Sequence, residues 1–215
     1  MENHSKDISW LDKIIKRFKD LGVFVPPIQK RIYEAIGREF AAGRTIVDVG
    51  CSTGADSNVL SVQARHVWGI DVNKEAVSFA IQAFSRPNLS FDEYDLENPP
   101  TREVSKFDLV VCIEVIEHLA DLEVGINNLK RFFGKDSIGF ISVPNINNEE
   151  IKIRDAANPL HLHHWTAGEF YELMIKHFAS VTLYSAEKLD TWSQEETVDG
   201  NTTDKLLVAK VEIPK

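Results

Sequence analysis

The sequence predicts an α/β fold: a doubly wound, mostly parallel seven-stranded sheet with helices on both faces and an antiparallel ribbon at one edge. From residue 45 onward, short apolar or β-branched runs alternate with helix-length segments, which is typical of parallel strands joined by crossover helices. Two strand-like runs near the end are separated only by a polar stretch, which indicates an antiparallel pair. The length of 215 residues indicates one structural domain.

Two helices are predicted ahead of the sheet. Apolar residues recur at helical spacing over residues 10–21, which predicts a first amphipathic helix. Pro26-Pro27 then begins a second segment of helical spacing that runs to Phe40, since proline is well tolerated at a helix start.

Seven strands are predicted from runs rich in β-branched and apolar residues. The first five are expected to pair in parallel, and the last two to form the edge ribbon. The predicted strands span residues 45–49, 66–70, 89–91, 107–113, 138–143, 180–184 and 206–211.

Capping residues mark the start of three further helices. Asn73 and Asp121 each precede an apolar stripe, and the stripe after Asp121 extends to Phe133. Thr166 and Glu169 have the spacing of a capping box, which places a helix start at Thr166.

Composition and charge exclude several classes of protein. Hydrophobic residues make up 43% and charged residues 27%, as in a globular protein, which excludes disordered and collagen-like chains. No apolar run approaches the roughly 18 residues needed to span a bilayer, and no secretion signal is evident, so we expect a cytoplasmic location. Two cysteines, Cys51 and Cys112, are too few for a disulfide framework and are expected to be buried thiols. The net charge of −9 disfavours binding to nucleic acid.

The first predicted strand ends in a glycine-containing turn, where ligands of such sheets bind. Gly50 allows a sharp bend and a close approach of ligand to backbone, and Gly54 allows close packing as the next helix begins. Asp71, at the end of the second predicted strand, can accept hydrogen bonds from both hydroxyls of a ribose. A dinucleotide fingerprint requires a second glycine where this chain has Ser52, so a pyrophosphate site is poorly supported.

The segment over residues 45–145 resembles the motifs of the class I S-adenosylmethionine-dependent methyltransferases. The resemblance implies S-adenosylmethionine as the cofactor, Asp71 on its ribose and Asp95 near its adenine amine. Ser52 stands where that family often has glycine. The implied cofactor-binding residues are Asp48, Gly50, Cys51, Ser52, Gly54, Asp71, Val72, Asp95, Leu96, Cys112 and Ile113.

Candidate catalytic residues follow the fourth predicted strand. Glu114, Glu117 and His118 have the spacing at which a helical turn gathers side chains on one face, and His161 lies on a later loop that could reach the same place. Glu117, His118 and His161 are the candidate catalytic residues, with His118 or His161 as a metal-free general base.

The pattern Glu-x-x-Glu-His with a distant His is similar to that of the small-RNA 3′-terminal 2′-O-methyltransferases. Glu-x-x-Glu-His alone is also similar to the ubiquinone-pathway O-methyltransferases. The first resemblance implies a divalent ion held by Glu114, Glu117, His118 and His161. Such mixed ligands accept magnesium but suit manganese or zinc better.

The predicted function is methyl transfer to a hydroxyl oxygen of a small polar, glycosyl or phenolic acceptor by in-line displacement. Residues 1–44 are expected to form a lid over this acceptor or a cover for the core, and residues 45–215 the cofactor-binding domain. The alternatives are methylation of an RNA 3′ end with a metal ion, a dinucleotide oxidoreductase and a non-catalytic S-adenosylmethionine-binding module. The sequence does not indicate an oligomeric state.

Overall fold

The computed structural model describes residues 27–101 and 104–213. The first predicted helix, over residues 10–21, lies outside this part of the chain. The second predicted helix is observed as α1, Pro27–Phe40. Ile32 and Ile36 of α1 are completely buried, as their helical spacing on one face predicts.

The predicted sheet class is confirmed. The seven strands lie in the order β3-β2-β1-β4-β5-β7-β6. Strands β1 to β5 pair in parallel, and β7 is antiparallel to both of its neighbours, β5 and β6. The strands are β1 Thr45–Val49, β2 His66–Asp71, β3 Leu89–Glu93, β4 Phe107–Ile113, β5 Phe133–Pro144, β6 Ser180–Ser185 and β7 Leu206–Glu212.

The three predicted helix caps are also confirmed. Asn73 and Asp121 accept hydrogen bonds from the first turns of their helices, and Thr166 forms a complete capping box with Glu169. The helices after α1 are α2 Ala55–Leu60, α3 Lys74–Ala83, α4 Leu122–Leu129, α5 Glu149–Ala156 and α6 Ala167–His177.

Helix α5 was not predicted from the sequence. It has no apolar stripe, because its one buried side chain is that of Asp155, while Ile153 is 70% exposed. Periodicity of apolar residues therefore carries no signal for this helix. Its start is nevertheless capped by Asn148, whose side chain accepts a hydrogen bond from the Ile151 N–H.

The predicted boundary between α4 and β5 was wrong. Phe133 was expected to end the helical stripe, but α4 ends at Leu129, a short 3₁₀ turn follows, and Phe133 begins β5. Phe133 pairs with Phe107 of β4, and its ring packs against Phe178 at 5.6 Å between centroids. Tertiary packing of the aromatic ring thus overrides the helical spacing.

Apolar residues cover both faces of the sheet. In β4, Leu109 and Val111 face the layer formed with α1, α2 and α3, whereas Val110 and Cys112 face the layer formed with α4 and α6. This alternation follows from the two-residue period of a strand. Cys51 and Cys112 are buried free thiols, as predicted. No helix in the described part of the chain is long and apolar enough to cross a membrane.

Candidate active site

The candidate site lies where the strand order reverses. β1 pairs with β2 on one side and with β4 on the other. The chain therefore runs from β1 to β2 toward one edge of the sheet, and from β4 to β5 toward the other edge. A crevice at this point, beyond the carboxyl ends of the strands, is where open α/β sheets bind ligands. Val49 and Cys112 are paired at these strand ends.

The turn between β1 and α2 has three residues with left-handed backbone. They are Gly50 with φ 77°, Ser52 with φ 47° and Gly54 with φ 81°. A Cβ atom added at Gly54 would lie 2.7 Å from Phe91 Cζ, which is the close packing expected at this position. A Cβ at Gly50 would collide with Val115 Cγ2. The close neighbour of Gly50 is therefore a side chain from the loop after β4.

Asp71 joins this turn to the end of β2. Its Oδ2 accepts a 2.8 Å hydrogen bond from the Ser52 N–H, and its Oδ1 accepts one of 2.8 Å from the Asn73 N–H. Each oxygen has a second lone pair, which fits the two hydroxyls of a ribose. Burial raises the pKa of Asp71, and the two N–H donors oppose that rise.

Asp48 lies beneath the turn rather than at its surface. It is completely buried, and its carboxylate accepts hydrogen bonds from the Tyr33 hydroxyl at 2.9 Å and the Ser57 hydroxyl at 2.5 Å. Burial raises its pKa to about 7. These contacts tie α1 and α2 to the end of β1, so Asp48 supports the turn from below.

The other implied cofactor-binding residues differ in their exposure to solvent. Val72 is 65% exposed beside Asp71. Asp95 is half-buried after β3, and its Oδ1 accepts a 2.8 Å hydrogen bond from the Glu97 N–H. The remaining four are buried: Cys51, Leu96, Cys112 and Ile113. Burial raises the pKa of both thiols.

The segment after β4 does not form the predicted helical turn. Glu114 has φ 56° and lies outside the 3₁₀ turn Ile116–His118. Its Oε1 accepts a 2.9 Å hydrogen bond from the Ser142 hydroxyl of β5. Burial raises the pKa of Glu114 to about 8.

Glu117 is a buried carboxylate without a hydrogen bond. It is 1% exposed, and neither side-chain oxygen has a partner among the described residues. Burial raises its pKa well above the ordinary range, and the Glu114 carboxylate adds to that rise. A buried, unpaired carboxylate is costly unless it is protonated or compensated by a cation.

Two histidines stand beside Glu117. The rings of His118 and His161 meet edge to face at 4.6 Å between centroids. His118 donates a 2.9 Å hydrogen bond from Nδ1 to the Leu160 carbonyl, so its lone pair is on Nε2. Backbone contacts bring the two loops together, because the Glu117 carbonyl accepts a 2.7 Å hydrogen bond from the Leu162 N–H.

Glu117, His118 and His161 fit a divalent cation. Each offers one ligand atom, and these atoms lie within 4.8 Å of one another. One carboxylate and two imidazoles form a donor set used by catalytic zinc sites, which keep a further position open. The predicted fourth ligand, Glu114, is not in this group, and its Oε1 is bound to Ser142.

Sequence reasoning missed Asp155. This α5 residue is 4% exposed, and its two carboxylate oxygens bind Nδ1 of His161 and Nδ1 of His164 in two short hydrogen bonds. The available signal was a lone Asp a short distance before residues 161–165, the His-rich loop, in a segment with no predicted helix.

A cavity of about 250 Å³ opens beside these groups. Its walls come from α1, the ends of β4 and β5, α5, the His-rich loop and the start of β7. Apolar and polar side chains are mixed in its lining, which includes Ile28, Glu114, Pro144, Asp155, His161 and Leu206.

The sheet order, the turn after β1, the carboxylate at the end of β2 and the carboxylate after β3 define the class I S-adenosylmethionine-dependent methyltransferase fold. The family model described as "Methyltransferase domain" matches residues 22–195. The chain therefore belongs to the methyltransferase domain family.

Known relatives agree with this membership. The chain is 34% identical over 80 residues to the ubiquinone biosynthesis O-methyltransferase of Paraburkholderia phytofirmans, a match that spans 36% of this chain and only 34% of that enzyme. Among solved structures, a methyltransferase in complex with the Haloferax volcanii Trm112 methyltransferase activator has a TM-score of 0.71 at 18% identity, over 100% of both chains. A TehB-like SAM-dependent methyltransferase from Corynebacterium glutamicum has a TM-score of 0.63 at 21% identity, over 96% of this chain and 97% of that one. These two structures share the fold.

Proposed function

We propose that this chain transfers a methyl group from S-adenosylmethionine to a hydroxyl oxygen of a small acceptor bound in the 250 Å³ cavity. The observation that carries the proposal is the cluster of Glu117, His118 and His161, which follows the end of β4 and contributes His161 to the lining of this cavity. The O-methyltransferase named above supports oxygen as the target, although the match covers about a third of its length.

In this proposal the cofactor lies across the ends of β1 to β4. S-adenosylmethionine supplies a methyl group activated by its sulfonium. Asp71 accepts hydrogen bonds from the ribose hydroxyls, because each of its oxygens keeps a lone pair beyond its backbone contact. Asp95 contacts the adenine, as the resemblance implies. The turn from Gly50 to Gly54 supports the methionine part from below.

The cluster of Glu117, His118 and His161 then promotes loss of the acceptor hydroxyl proton. In the absence of a metal ion, Nε2 of His161 accepts the proton of the acceptor hydroxyl as the oxygen attacks the methyl carbon. A divalent ion held by Glu117, His118 and His161 would supply a Lewis acid that lowers the pKa of that hydroxyl. In both cases the protein's main contribution is to align the oxygen with the methyl group.

The size of the cavity supports a small acceptor over an RNA end. A volume of about 250 Å³ is slightly below the range of roughly 300–1,000 Å³ typical of small-molecule sites. Ile28 and Gln29 of α1 line the cavity, which supports the proposal that residues 1–44 cover the acceptor. The cytoplasmic location stays a prediction.

The proposal is tested by methyl transfer from labelled S-adenosylmethionine to catechol, to a glycoside with free hydroxyls and to a short RNA. We expect label on a small hydroxyl compound and none on the RNA. Transfer to the RNA 3′ end alone would replace this proposal with the RNA alternative. Stabilisation by S-adenosylhomocysteine without transfer to hydroxyl acceptors, including those in a cell extract, would favour a binding module.

A further inference from the structure

We propose that Asp155 is a positioning residue that holds His161 in the tautomer and orientation required for its role beside Glu117 and His118. This inference rests on the proposed function, because it assigns His161 a role in that reaction. The same carboxylate also holds His164, which lines a separate groove.

The hydrogen-bond pattern specifies the tautomer of both rings. A carboxylate accepts hydrogen bonds, so the nitrogen that contacts it must be the donor. Asp155 contacts Nδ1 of His161 and Nδ1 of His164. Each neutral ring therefore carries its lone pair on Nε2, the nitrogen left for a proton or a metal ion.

The burial of Asp155 has no other structural explanation in its helix. Asp155 is the one side chain that α5 buries, and no apolar residue of that helix is buried with it. Burying a carboxylate is unfavourable unless its hydrogen bonds are satisfied. The two imidazoles satisfy both of its oxygens, so the contact with the His-rich loop accounts for this burial.

The two histidines differ in what they face. The side chain of His161 is 15% exposed, lines the 250 Å³ cavity and meets the His118 ring. The side chain of His164 is 39% exposed and lines an open groove with Trp165 and Thr166. Only His161 is therefore placed to act on an acceptor, and His164 offers a matched control on the same carboxylate.

The role of Asp155 is to keep the reactive nitrogen of His161 in place. While Nδ1–H donates to Asp155, Nε2 can accept the hydroxyl proton, and the imidazolium that forms is stabilised by the carboxylate without a second proton transfer. If a metal ion is bound instead, the same contact orients the ring as a ligand. Without the carboxylate, the ring can rotate and exchange tautomers.

The test compares two single variants, Asp155→Ala and His164→Ala, with the wild type. Each is studied as the full chain bound to S-adenosylhomocysteine. Long-range ¹⁵N–¹H spectra report which ring nitrogen of each histidine carries the proton. We expect His161 to be protonated on Nδ1 in the wild type and in His164→Ala, and to lose that preference in Asp155→Ala. We expect kcat for methyl transfer to fall about 10- to 100-fold in Asp155→Ala and to change less than about twofold in His164→Ala, with KM for S-adenosylmethionine unchanged.

Unchanged protonation of His161 in Asp155→Ala, or an equal loss of activity in His164→Ala, would overturn the inference. If Asp155→Ala does not fold, as shown by loss of stabilisation by S-adenosylhomocysteine, Asp155→Asn takes its place. An amide offers one oxygen as acceptor and one NH₂ as donor, so His161 and His164 must then adopt different tautomers. Two Nδ1–H tautomers in Asp155→Asn would also overturn the inference.

The spectroscopic result does not depend on the acceptor. If His161 shows the expected tautomers but no hydroxyl compound is methylated, the proposed function fails and the assignment of Asp155 as the residue that orients His161 stands.

Discussion

The rings of His118 and His161 lie edge to face, 4.6 Å apart, although they belong to separate loops. The contact is held by the backbone, since the Glu117 carbonyl accepts hydrogen bonds from the N–H groups of Leu162 and His163. The His-rich loop thereby forms one wall of the site.

The cofactor preference tests the crevice. S-adenosylhomocysteine is expected to raise the melting temperature more than NAD does, because the turn at Ser52 lacks the glycine of a pyrophosphate site. Asp71→Asn is expected to weaken S-adenosylhomocysteine binding at least about tenfold, measured by calorimetry, since one charge-assisted bond contributes roughly 1.5–3 kcal/mol. The control is Glu93→Gln, an exposed carboxylate at the end of β3. Greater stabilisation by NAD would contradict the cofactor assignment.

The catalytic cluster is tested by Glu117→Gln and His161→Ala. Each is expected to lower kcat on an identified acceptor by about 100-fold or more while S-adenosylhomocysteine binding is retained, because His161→Ala removes the proposed base and Glu117→Gln removes a proposed metal ligand. His66→Gln serves as control, because that imidazole bonds to Ser90 on β3, far along the sheet. Wild-type turnover in both cluster variants would exclude these residues from the reaction.

Metal removal separates the two proposed routes for the acceptor proton. Because both oxygens of Glu117 are buried without partners, we expect a divalent ion to bind there. Treatment with EDTA is then expected to lower activity at least about tenfold, and manganese or zinc to restore it. Restoration is expected to fail in Glu117→Gln. Full activity after complete chelation would exclude the ion and leave His161 as the base.

Stability is expected to depend on the ionisation of Asp48. Its pKa rises from an ordinary 3.8 to about 7 in the folded protein, so the folded state binds more protons than the unfolded state between these values. The stability from this group is present below pH 3.8 and is lost as the pH rises through about 7. Urea unfolding at pH 5 and pH 8 should show a smaller pH dependence in Asp48→Asn than in the wild type. An identical pH dependence in both proteins would contradict the assignment.

The turn after β1 requires glycine at position 54. Gly54→Ala places a Cβ 2.7 Å from Ala80 Cβ at a φ of 81°, so we expect a loss of about 1–3 kcal/mol in the free energy of unfolding. Gly37→Ala is the control, because a Cβ there meets nothing within 4 Å in helix α1, and we expect it to stabilise by up to about 1 kcal/mol. Equal effects of the two substitutions on the free energy of unfolding in urea would contradict the requirement for glycine at position 54.

Local patterns predicted much of this fold. The alternation of strands and helices, the caps at Asn73, Asp121 and Thr166, and the edge ribbon all depend on residues close together in sequence. Where an aromatic ring found a distant partner, as Phe133 did with Phe178, the local pattern placed a boundary wrongly.

The sequence by itself determined the fold class, the order of the motifs and the residue types available for chemistry, because these follow from short-range periodicity and spacing. The tertiary structure alone decided that Glu114 turns toward Ser142, that Asp48 lies beneath the cofactor turn, and that a buried Asp155 holds His161 beside His118. These relationships depend on where loops from different strand ends meet. The positions of these loops are set by packing and by hydrogen bonds between distant segments. Such long-range contacts produce no periodic pattern in the sequence.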